Sequence, residues 1–311
     1  MDDRFANVRC SHGICHHKKL LWKRALGNIA CHGRFGSYMR IKQKLTTLMF
    51  ISLVSPACTT RHSAVTSQNK EVPPITQITY FQDLYVKSFR PSQTSKHGFI
   101  FFHGFPGGGV RNEDLGEAIQ QQTGSNCYVV HYGGLGQGKG KFSFRRSVDQ
   151  SLQLIDSIIS EEKLDSLSIY GHSWGGLVAI NAADKIRAKL DKLILVSPYS
   201  MLPPKSMVRE ILSGYVAADP ALENVLSIDE AIDDVDFIDK NYNPRAAIKQ
   251  ITLKPGAVLF LQALDDGEVP APLSRSFVPL FPVAPDYREV KQDHSFTNRE
   301  ELIRTVTDWL G

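Results

Sequence analysis

Runs of mostly apolar residues recur along the chain from about residue 98, and segments with helical spacing separate them. A short run without polar alternation is typical of a strand buried on both faces of a parallel sheet. Such runs occur at Gly98–Phe102, Cys127–Tyr132, Leu167–Tyr170, Leu193–Val196 and Ala257–Leu261. Between two of them, apolar residues from Val148 to Ile159 recur on one helical face. This alternation predicts a mostly parallel α/β sheet.

Further elements flank these runs. Ile75–Tyr80 and Leu84–Phe89 alternate apolar and polar residues across a short polar break, which predicts an entering β-hairpin. Asn112–Gln122 has the pattern of a helix, and Tyr287–Lys291 is expected to close the sheet. A capping-box pattern, Thr297–Glu300, predicts the start of the last helix.

The segment 198–250 interrupts the alternation. It is rich in proline at first and then acidic, with helix-like patches and no strand pattern. We expect a short helical lid rather than a separate domain, with the acidic run as a solvated face. The acidic residues are Asp229, Glu230, Asp233, Asp234, Asp236 and Asp239.

A leader-like pattern begins at Met39. Basic residues precede the apolar stretch Leu45–Val54, and small residues follow it directly before Cys58. This predicts a secretory signal peptide over 39–58, because the apolar core is shorter than the roughly 20 residues of a spanning helix. Its end resembles a bacterial lipoprotein signal, which implies lipid attachment at Cys58, membrane anchoring and a periplasmic or lipid-anchored location in the cell envelope. The alternative is a buried or amphipathic helix in a cytoplasmic protein.

The rest of the first 74 residues predicts no folded unit. Residues 1–38 lack sustained apolar periodicity, and we interpret them as a non-native or unfolded upstream extension, with Met39 as the true start. Residues 59–74 are polar and predict a linker. The early Cys and His residues lack a paired C-x-x-C spacing, so we expect no zinc site. These residues are Cys10, Cys15, His16, His17, Cys31 and His32.

The charge distribution and one glycine-rich segment bear on two further functions, nucleic-acid binding and nucleotide binding. The formal net charge is +4, yet residues 1–58 hold 10 Lys/Arg against 2 Asp/Glu, which leaves 26 against 30 for the remainder. This mildly acidic body does not predict nucleic-acid binding. Gly133–Gly140 fits the spacing of a phosphate loop, but Gly140 stands where a Ser or Thr must ligate Mg²⁺. We therefore expect a surface loop and no cofactor. Cys127, inside a strand pattern, is expected to be a buried small side chain.

The most informative motif is Gly171-His172-Ser173-Trp174-Gly175. It follows an apolar run and precedes a helical pattern that extends to about Lys189. This is the strand–turn–helix context of a nucleophile elbow, in which the serine occupies a strained turn and glycines allow strand and helix to cross closely. Ser173 is therefore the candidate nucleophile.

A serine nucleophile needs a general base that a carboxylate orients. If the acid and the histidine follow the serine in that order along the chain, His294 is the one histidine after residue 58 that follows both Ser173 and a candidate acid. Asp265, Asp266 and Glu268 all follow a predicted strand and are candidate acids. Asp293 is disfavoured because adjacent side chains in an extended loop point apart.

A glycine-rich loop, His103–Gly109, follows the buried strand Gly98–Phe102. Such a loop allows backbone N–H groups to point at a ligand, and an oxyanion needs two preorganised donors. The candidate donors are the backbone amides of Trp174, directly after the nucleophile, and of Phe105 in this loop.

Three motifs together make residues 75–311 similar to the α/β-hydrolase superfamily: His103–Gly108, Gly171–Gly176, and Asp265–Pro270 followed by His294. The resemblance implies a mostly parallel, eight-stranded-type sheet with helices on both faces and a short helical lid. In that superfamily the acid commonly precedes Val-Pro by a few residues, which favours Asp266 over Asp265.

The resemblance further implies a metal-independent serine hydrolase that cleaves a small-molecule carboxylic ester through an acyl-enzyme. Ser173 would attack, His294 would transfer the proton and Asp266 would orient His294. One alternative is an aminopeptidase resembling proline iminopeptidases, with Asp233, Asp234 or Asp236 binding a substrate ammonium. Another is a non-catalytic envelope binding protein with the same fold. Substrate-binding residues and oligomeric state are not predicted.

Overall fold

The described part of the protein begins at the end of the predicted linker. The computed structural model describes residues 74–107 and 112–311. The predicted extension, the signal peptide with Cys58, and the linker up to residue 73 lie outside the described residues. Among the described helices, none has both the length and the apolar character required to cross a lipid bilayer.

One sheet of eight strands organises the described residues. The strands are β1 (Ile75–Phe81), β2 (Leu84–Arg90), β3 (His97–Phe102), β4 (Asn126–His131), β5 (Ser166–His172), β6 (Leu190–Val196), β7 (Val258–Ala263) and β8 (Asp286–Val290). Their order in the sheet is β1-β2-β4-β3-β5-β6-β7-β8. β2 pairs antiparallel with β1 and β4, and all other neighbours pair in parallel. The predicted mostly parallel α/β sheet is confirmed.

Helices cover both faces of this sheet. They are α1 (Glu113–Thr123), α2 (Phe144–Glu161), α3 (Trp174–Lys185), α4 (Lys205–Ala218), α5 (Ile228–Asn241), α6 (Pro244–Ala247), α7 (Ala271–Phe277) and α8 (Arg299–Leu310). Short 3₁₀ turns lie at Pro220–Asn224, Ile248–Gln250 and Val278–Leu280.

The apolar run of β3 shows how the two faces form. Phe99 and Phe101 contribute to one core with α1 and α8, whereas Ile100 and Phe102 contribute to the other with α2 and α3. Because successive side chains of a strand point to opposite faces, a strand between two helical layers must be apolar at every position. Cys127 of β4 is fully buried, as predicted, and burial raises the pKa of its thiol.

Two helix boundaries differ from the prediction. α3 ends at Lys185 rather than near Lys189, because β6 already begins at Leu190. α8 is capped by Asn298, whose side chain accepts a hydrogen bond from the Glu301 amide at 3.3 Å. The predicted cap, Thr297, instead bonds through its hydroxyl and amide to the carboxylate of Asp293.

The segment 198–250, here called the helical insertion, connects β6 to β7. It contains α4, α5 and α6 and no strand apart from an isolated bridge between Leu226 and Phe142. α4 buries only Val208 and Leu212, and α5 packs against both α4 and α2. The insertion is thus a thin helical layer beside the sheet.

Candidate active site

Ser173 lies on the sharp turn between β5 and α3. Its backbone has φ 54° and ψ −118°, a conformation that residues other than glycine rarely adopt. The turn is fixed from both sides, since its amide donates to the Val196 carbonyl at 3.0 Å and its carbonyl accepts from the Tyr199 amide at 2.8 Å. The strained turn aims the Ser173 hydroxyl beyond the carboxyl edge of the sheet.

The glycines around Ser173 permit this turn. A Cβ at Gly175 would lie 2.2 Å from the carbonyl oxygen of Phe102, at the end of β3. A Cβ at Gly171 would lie 2.3 Å from the carbonyl oxygen of Gly175. Strand and helix therefore cross so closely that neither position admits a side chain, as the sequence motif predicts.

The structure brings Ser173, His294 and Asp266 into one hydrogen-bonded chain. His294 Nε2 lies 2.8 Å from Ser173 Oγ, and His294 Nδ1 lies 2.8 Å from Asp266 Oδ2. A carboxylate only accepts, so Nδ1 of a neutral imidazole carries the proton and Nε2 can accept from the serine hydroxyl. This is the arrangement required of a general base and its orienting acid.

Asp266 is buried and fixed by backbone hydrogen bonds. Its side chain is fully buried, and its other oxygen, Oδ1, accepts hydrogen bonds from the amides of Glu268 and Val269 at 2.8 and 2.7 Å. Asp265 is exposed, and the Asp293 carboxylate bonds to Thr297. Asp266 is therefore held in place by backbone amides while it bonds to the His294 ring.

Both residues predicted to supply oxyanion donors line the same cleft as Ser173. Trp174 is the first residue of α3, so its amide has no acceptor within the helix. Phe105 lines the same cleft as Ser173. A hydrogen bond from Trp174 Nε1 to Ser147 Oγ at 2.9 Å joins the start of α3 to α2.

An apolar cleft opens beside Ser173, and its empty space, including the part open to solvent, amounts to about 500 Å³. Its lining comes from the sheet edge, from α2 and from the helical insertion, and no lining residue carries a charge. The lining residues are Phe105, Phe144, Ser173, Trp174, Tyr199, Leu202, Pro203, Val208, Ile211, Leu212, Tyr215 and Val235.

Aromatic rings form a continuous wall in this cleft. Centroid distances are 5.4 Å for Tyr215–Phe105, 5.0 Å for Phe105–Phe144, 4.7 Å for Phe144–Trp174 and 6.5 Å for Trp174–Tyr199. Three of these contacts are edge-to-face and the Phe105–Phe144 pair is tilted, and aromatic contacts at such distances stabilise the packed rings beyond the area they bury. The wall therefore offers a preformed apolar surface next to Ser173.

One polar contact joins the helical insertion to the loop that carries Asp266, and sequence reasoning missed it. Tyr215 of α4 donates a short hydrogen bond from its hydroxyl to the Glu268 carboxylate. Burial and the nearby charge of Glu268 raise the pKa of the Tyr215 hydroxyl. Glu268, a candidate acid in the sequence, thus bonds to the helical insertion through its carboxylate.

The acidic residues proposed to bind an ammonium do not line the cleft. Asp233 and Asp236 are exposed, at 3.5 Å from Lys205 and 2.8 Å from Lys240. Asp234 is buried and accepts from Ser143 Oγ at 2.8 Å and from the Arg145 amide at 3.1 Å. Asp234 therefore anchors the insertion to the start of α2.

A second residue that sequence reasoning missed is His172, in the elbow motif itself. Its Nε2 lies 2.7 Å from the backbone carbonyl oxygen of His294. Burial, and secondarily the nearby His294, lowers the pKa of His172 to about 3. The two-residue period of β5 puts His172 on the same face as Tyr170, the face that α8 covers. From the sequence, this period could have indicated the face on which His172 lies, but not its hydrogen-bond partner.

Within the described ranges, no group of three His, Cys, Asp or Glu side chains is placed to hold a metal ion. The candidate site is built around the side chains of Ser173, His294 and Asp266. Its arrangement can perform nucleophilic acyl transfer, with a serine, a base and an oriented acid in sequence.

Comparisons with known proteins agree with this geometry. A family model described as "Serine aminopeptidase, S33" matches residues 93–264. The "Carbendazim hydrolyzing esterase" of Nocardioides sp. is 24% identical over 220 residues, covering 62% of this chain and 89% of that protein. A "Putative esterase/lipase 2" of Mycoplasma pneumoniae is 24% identical over 118 residues, which cover 38% of this chain and 42% of the relative, less than half its length.

Solved structures show the same fold. The monoacylglycerol lipase of Paleococcus ferrophilus has a TM-score of 0.56 and 22% identity, covering 73% of this chain and 98% of that one. Est1E from Butyrivibrio proteoclasticus, solved with ferulic acid bound, has a TM-score of 0.55 and 17% identity, covering 75% and 97%.

Proposed function

The chain belongs to the serine aminopeptidase (S33) family of α/β-hydrolases, and we propose that it hydrolyses small-molecule carboxylic esters through an acyl-enzyme on Ser173. The observation that carries the proposal is the series of hydrogen bonds Ser173–His294–Asp266, whose serine lines a cleft with no charged lining residue. The esterase names of two relatives support the same activity.

The mechanism follows from this chain of hydrogen bonds. His294 Nε2 removes the hydroxyl proton as Ser173 Oγ attacks the ester carbonyl. The amides of Phe105 and Trp174 hold the oxyanion, worth roughly 3 kcal/mol for each donor. Asp266 stabilises the His294 imidazolium, which then protonates the leaving alcohol. Water, activated by the same histidine, attacks the acyl-enzyme and releases the acid and Ser173.

Two properties of the cleft support an ester with an apolar group. Its wall is aromatic and aliphatic, and its lining residues are uncharged, so a neutral acyl or alcohol group is desolvated there without losing an ionic partner. Release of apolar surface from water contributes about 25 cal/mol per Å² to binding. A free ammonium or carboxylate would have no counter-charge among these lining residues.

Aminopeptidase activity is the second candidate, because the family description names it. An aminopeptidase must recognise a substrate ammonium. The insertion carboxylates suited to this task from the sequence, Asp233, Asp234 and Asp236, do not line the cleft. Ester hydrolysis therefore has stronger support than aminopeptidase activity.

The test combines active-site labelling with paired substrates. Wild type should react with a fluorophosphonate probe and hydrolyse 4-nitrophenyl butanoate, and Ser173→Ala should lose both by roughly 10⁴-fold or more. Ser213→Ala, at an exposed serine of α4, is the matched control and should behave as wild type. Equal turnover in Ser173→Ala would overturn the proposal. Proline 4-nitroanilide turned over faster than the ester would favour the aminopeptidase, and a folded wild type that never labels would favour a binding protein.

Export is a further part of the proposal, and it concerns residues outside those described. The pattern over 39–58 supports secretion, and lipid attachment at Cys58 would anchor the enzyme to a membrane. Expression in a bacterial host should yield a processed, membrane-associated protein, and Cys58→Ser should move it to the soluble fraction. An unprocessed cytoplasmic product would favour the N-terminal helix instead.

A further inference from the structure

His172 lies between the two loops that complete the site. Its ring centroid is 5.1 Å from that of His294 and 6.0 Å from that of Phe296. On its other side, a Cβ at Gly104 would lie 3.2 Å from His172 Nδ1 and 2.9 Å from Ser173 Cβ. The ring is only 6% exposed. It therefore fills the space between the glycine-rich loop and the loop that carries His294.

The hydrogen bond to His294 defines the protonation state of His172. A carbonyl oxygen only accepts, so His172 Nε2 must carry the proton and donate it across the 2.7 Å contact. Loss of this donor would leave the carbonyl of a partly buried contact without that partner, which costs free energy. The donor belongs to the strand that carries the nucleophile, and the acceptor belongs to the general base.

We propose that His172 is a positioning residue, which holds the His294 backbone at a fixed distance from Ser173 through the hydrogen bond from Nε2 to the His294 carbonyl. The proposal rests on the serine-hydrolase function above. His172 acts through His294, because its own bond goes to backbone and not to the reacting atoms. The distance of 2.8 Å between His294 Nε2 and Ser173 Oγ depends on where this backbone lies.

A second feature keeps the bond constant during turnover. His294 gains and loses a proton in each acyl transfer, whereas burial lowers the pKa of His172 to about 3. His172 therefore stays neutral as its neighbour titrates, and the donor on Nε2 is present in every step. An aliphatic residue at this position could fill the space but could not donate.

A matched pair of variants separates positioning from packing. His172→Phe keeps a ring and removes the donor, and His172→Gln places an amide N–H near the position of Nε2. We expect His172→Phe to lower kcat and the rate of fluorophosphonate labelling at least about tenfold, since small displacements of catalytic groups have large effects. KM should change little, because the substrate cleft is not touched. His172→Gln should recover most of the lost kcat.

Three outcomes would overturn the proposal. These are a His172→Phe variant with wild-type kcat, a loss confined to KM, or a glutamine variant no better than the phenylalanine variant at equal thermal stability. If His172→Phe does not fold, nitrogen NMR of histidine-labelled wild type decides, with a neutral ring protonated on Nε2 expected and a proton on Nδ1 contradictory. Ser173→Ala, run in parallel, reports on the hydrolase function itself, so the two proposals fail separately.

Discussion

The two sides of the cleft are built in different ways. On the sheet side, backbone contacts fix the geometry, as where the Gly175 backbone crosses the end of β3 and where Ser173 is bonded to Val196 and Tyr199. On the insertion side, α4 buries only two side chains. Near the site, Tyr215 of α4 donates a hydrogen bond to Glu268, in the loop that follows β7. Backbone contacts tolerate little change, whereas side-chain contacts can vary. We infer that the sheet side sets the reaction and the insertion side sets the choice of substrate.

The largest effect is expected where α3 crosses the end of β3. Gly175→Ala would place a Cβ 2.2 Å from the Phe102 carbonyl, a distance that forces helix and strand apart. We expect unfolding free energy to fall by about 3 kcal/mol or more, with loss of activity towards every ester. Urea unfolding and a panel of substrates measure both. A variant as stable as wild type would show that the two elements can separate freely.

The next effect tests how the insertion is attached. Asp234→Ala removes the acceptor for Ser143 Oγ and for the Arg145 amide and should cost about 2 to 3 kcal/mol, since both bonds involve a charged acceptor. Asp233→Ala is the matched control, because that side chain is 83% exposed and surface ion pairs contribute about 0 to 1 kcal/mol. Equal effects of the two substitutions on urea unfolding would contradict the assigned anchor.

A third prediction concerns acid stability on the sheet side. The pKa of His172 is about 3 in the folded protein and about 6.5 in an unfolded chain. Below about pH 6.5 the unfolded chain therefore binds a proton that the folded protein does not, and stability falls as the pH decreases towards 3. At about pH 5 this amounts to about 2 kcal/mol. Between neutral pH and pH 5, the unfolding free energy of His172→Gln should therefore fall by less than that of wild type. Equal decreases in the two proteins would contradict the prediction.

Sequence patterns predicted the sheet side well, because its elements depend on local rules. All eight predicted strands are present, with ends that differ by one or two residues for most. A strand buried on both faces must be apolar throughout, so runs such as Gly98–Phe102 leave few alternatives. Helix ends were less accurate, since Asn298 and Thr297 are both good caps and tertiary contacts decide between them.

The site could be predicted only where a motif or chain order constrains it. Ser173 and His294 followed from residue type and order, but Asp265, Asp266 and Glu268 could be separated only by resemblance. The bond from His172 to the His294 carbonyl joins residues 122 positions apart, and no local pattern specifies such a contact. The surroundings of Asp234 were missed for the same reason.

A fourth prediction tests the insertion side as the selector of substrate. Val208 lies on α4, is 3% exposed and lines the cleft. Val208→Phe should shorten the cleft and lower kcat/KM for an octanoate ester about tenfold relative to an acetate ester. Ala217→Phe, at an exposed position of the same helix, is the control. An equal loss for both esters would mean that α4 supports the reaction itself rather than selecting the acyl group.

The smallest effect should also have the opposite sign. Gly214 lies within α4, and a Cβ built there meets nothing within 4 Å, so Gly214→Ala should stabilise the protein by about 0.5 to 1 kcal/mol through helix propensity. Gly256 has equally open surroundings but a φ of +78°, and Gly256→Ala should destabilise by about 1 kcal/mol, because only its backbone conformation disfavours a side chain. Thermal unfolding of both variants separates the two causes. A destabilised Gly214→Ala variant would mean that α4 packs more tightly on its outer face than its exposure indicates. The difference in packing between α4 and the sheet side at Gly175 would then be smaller.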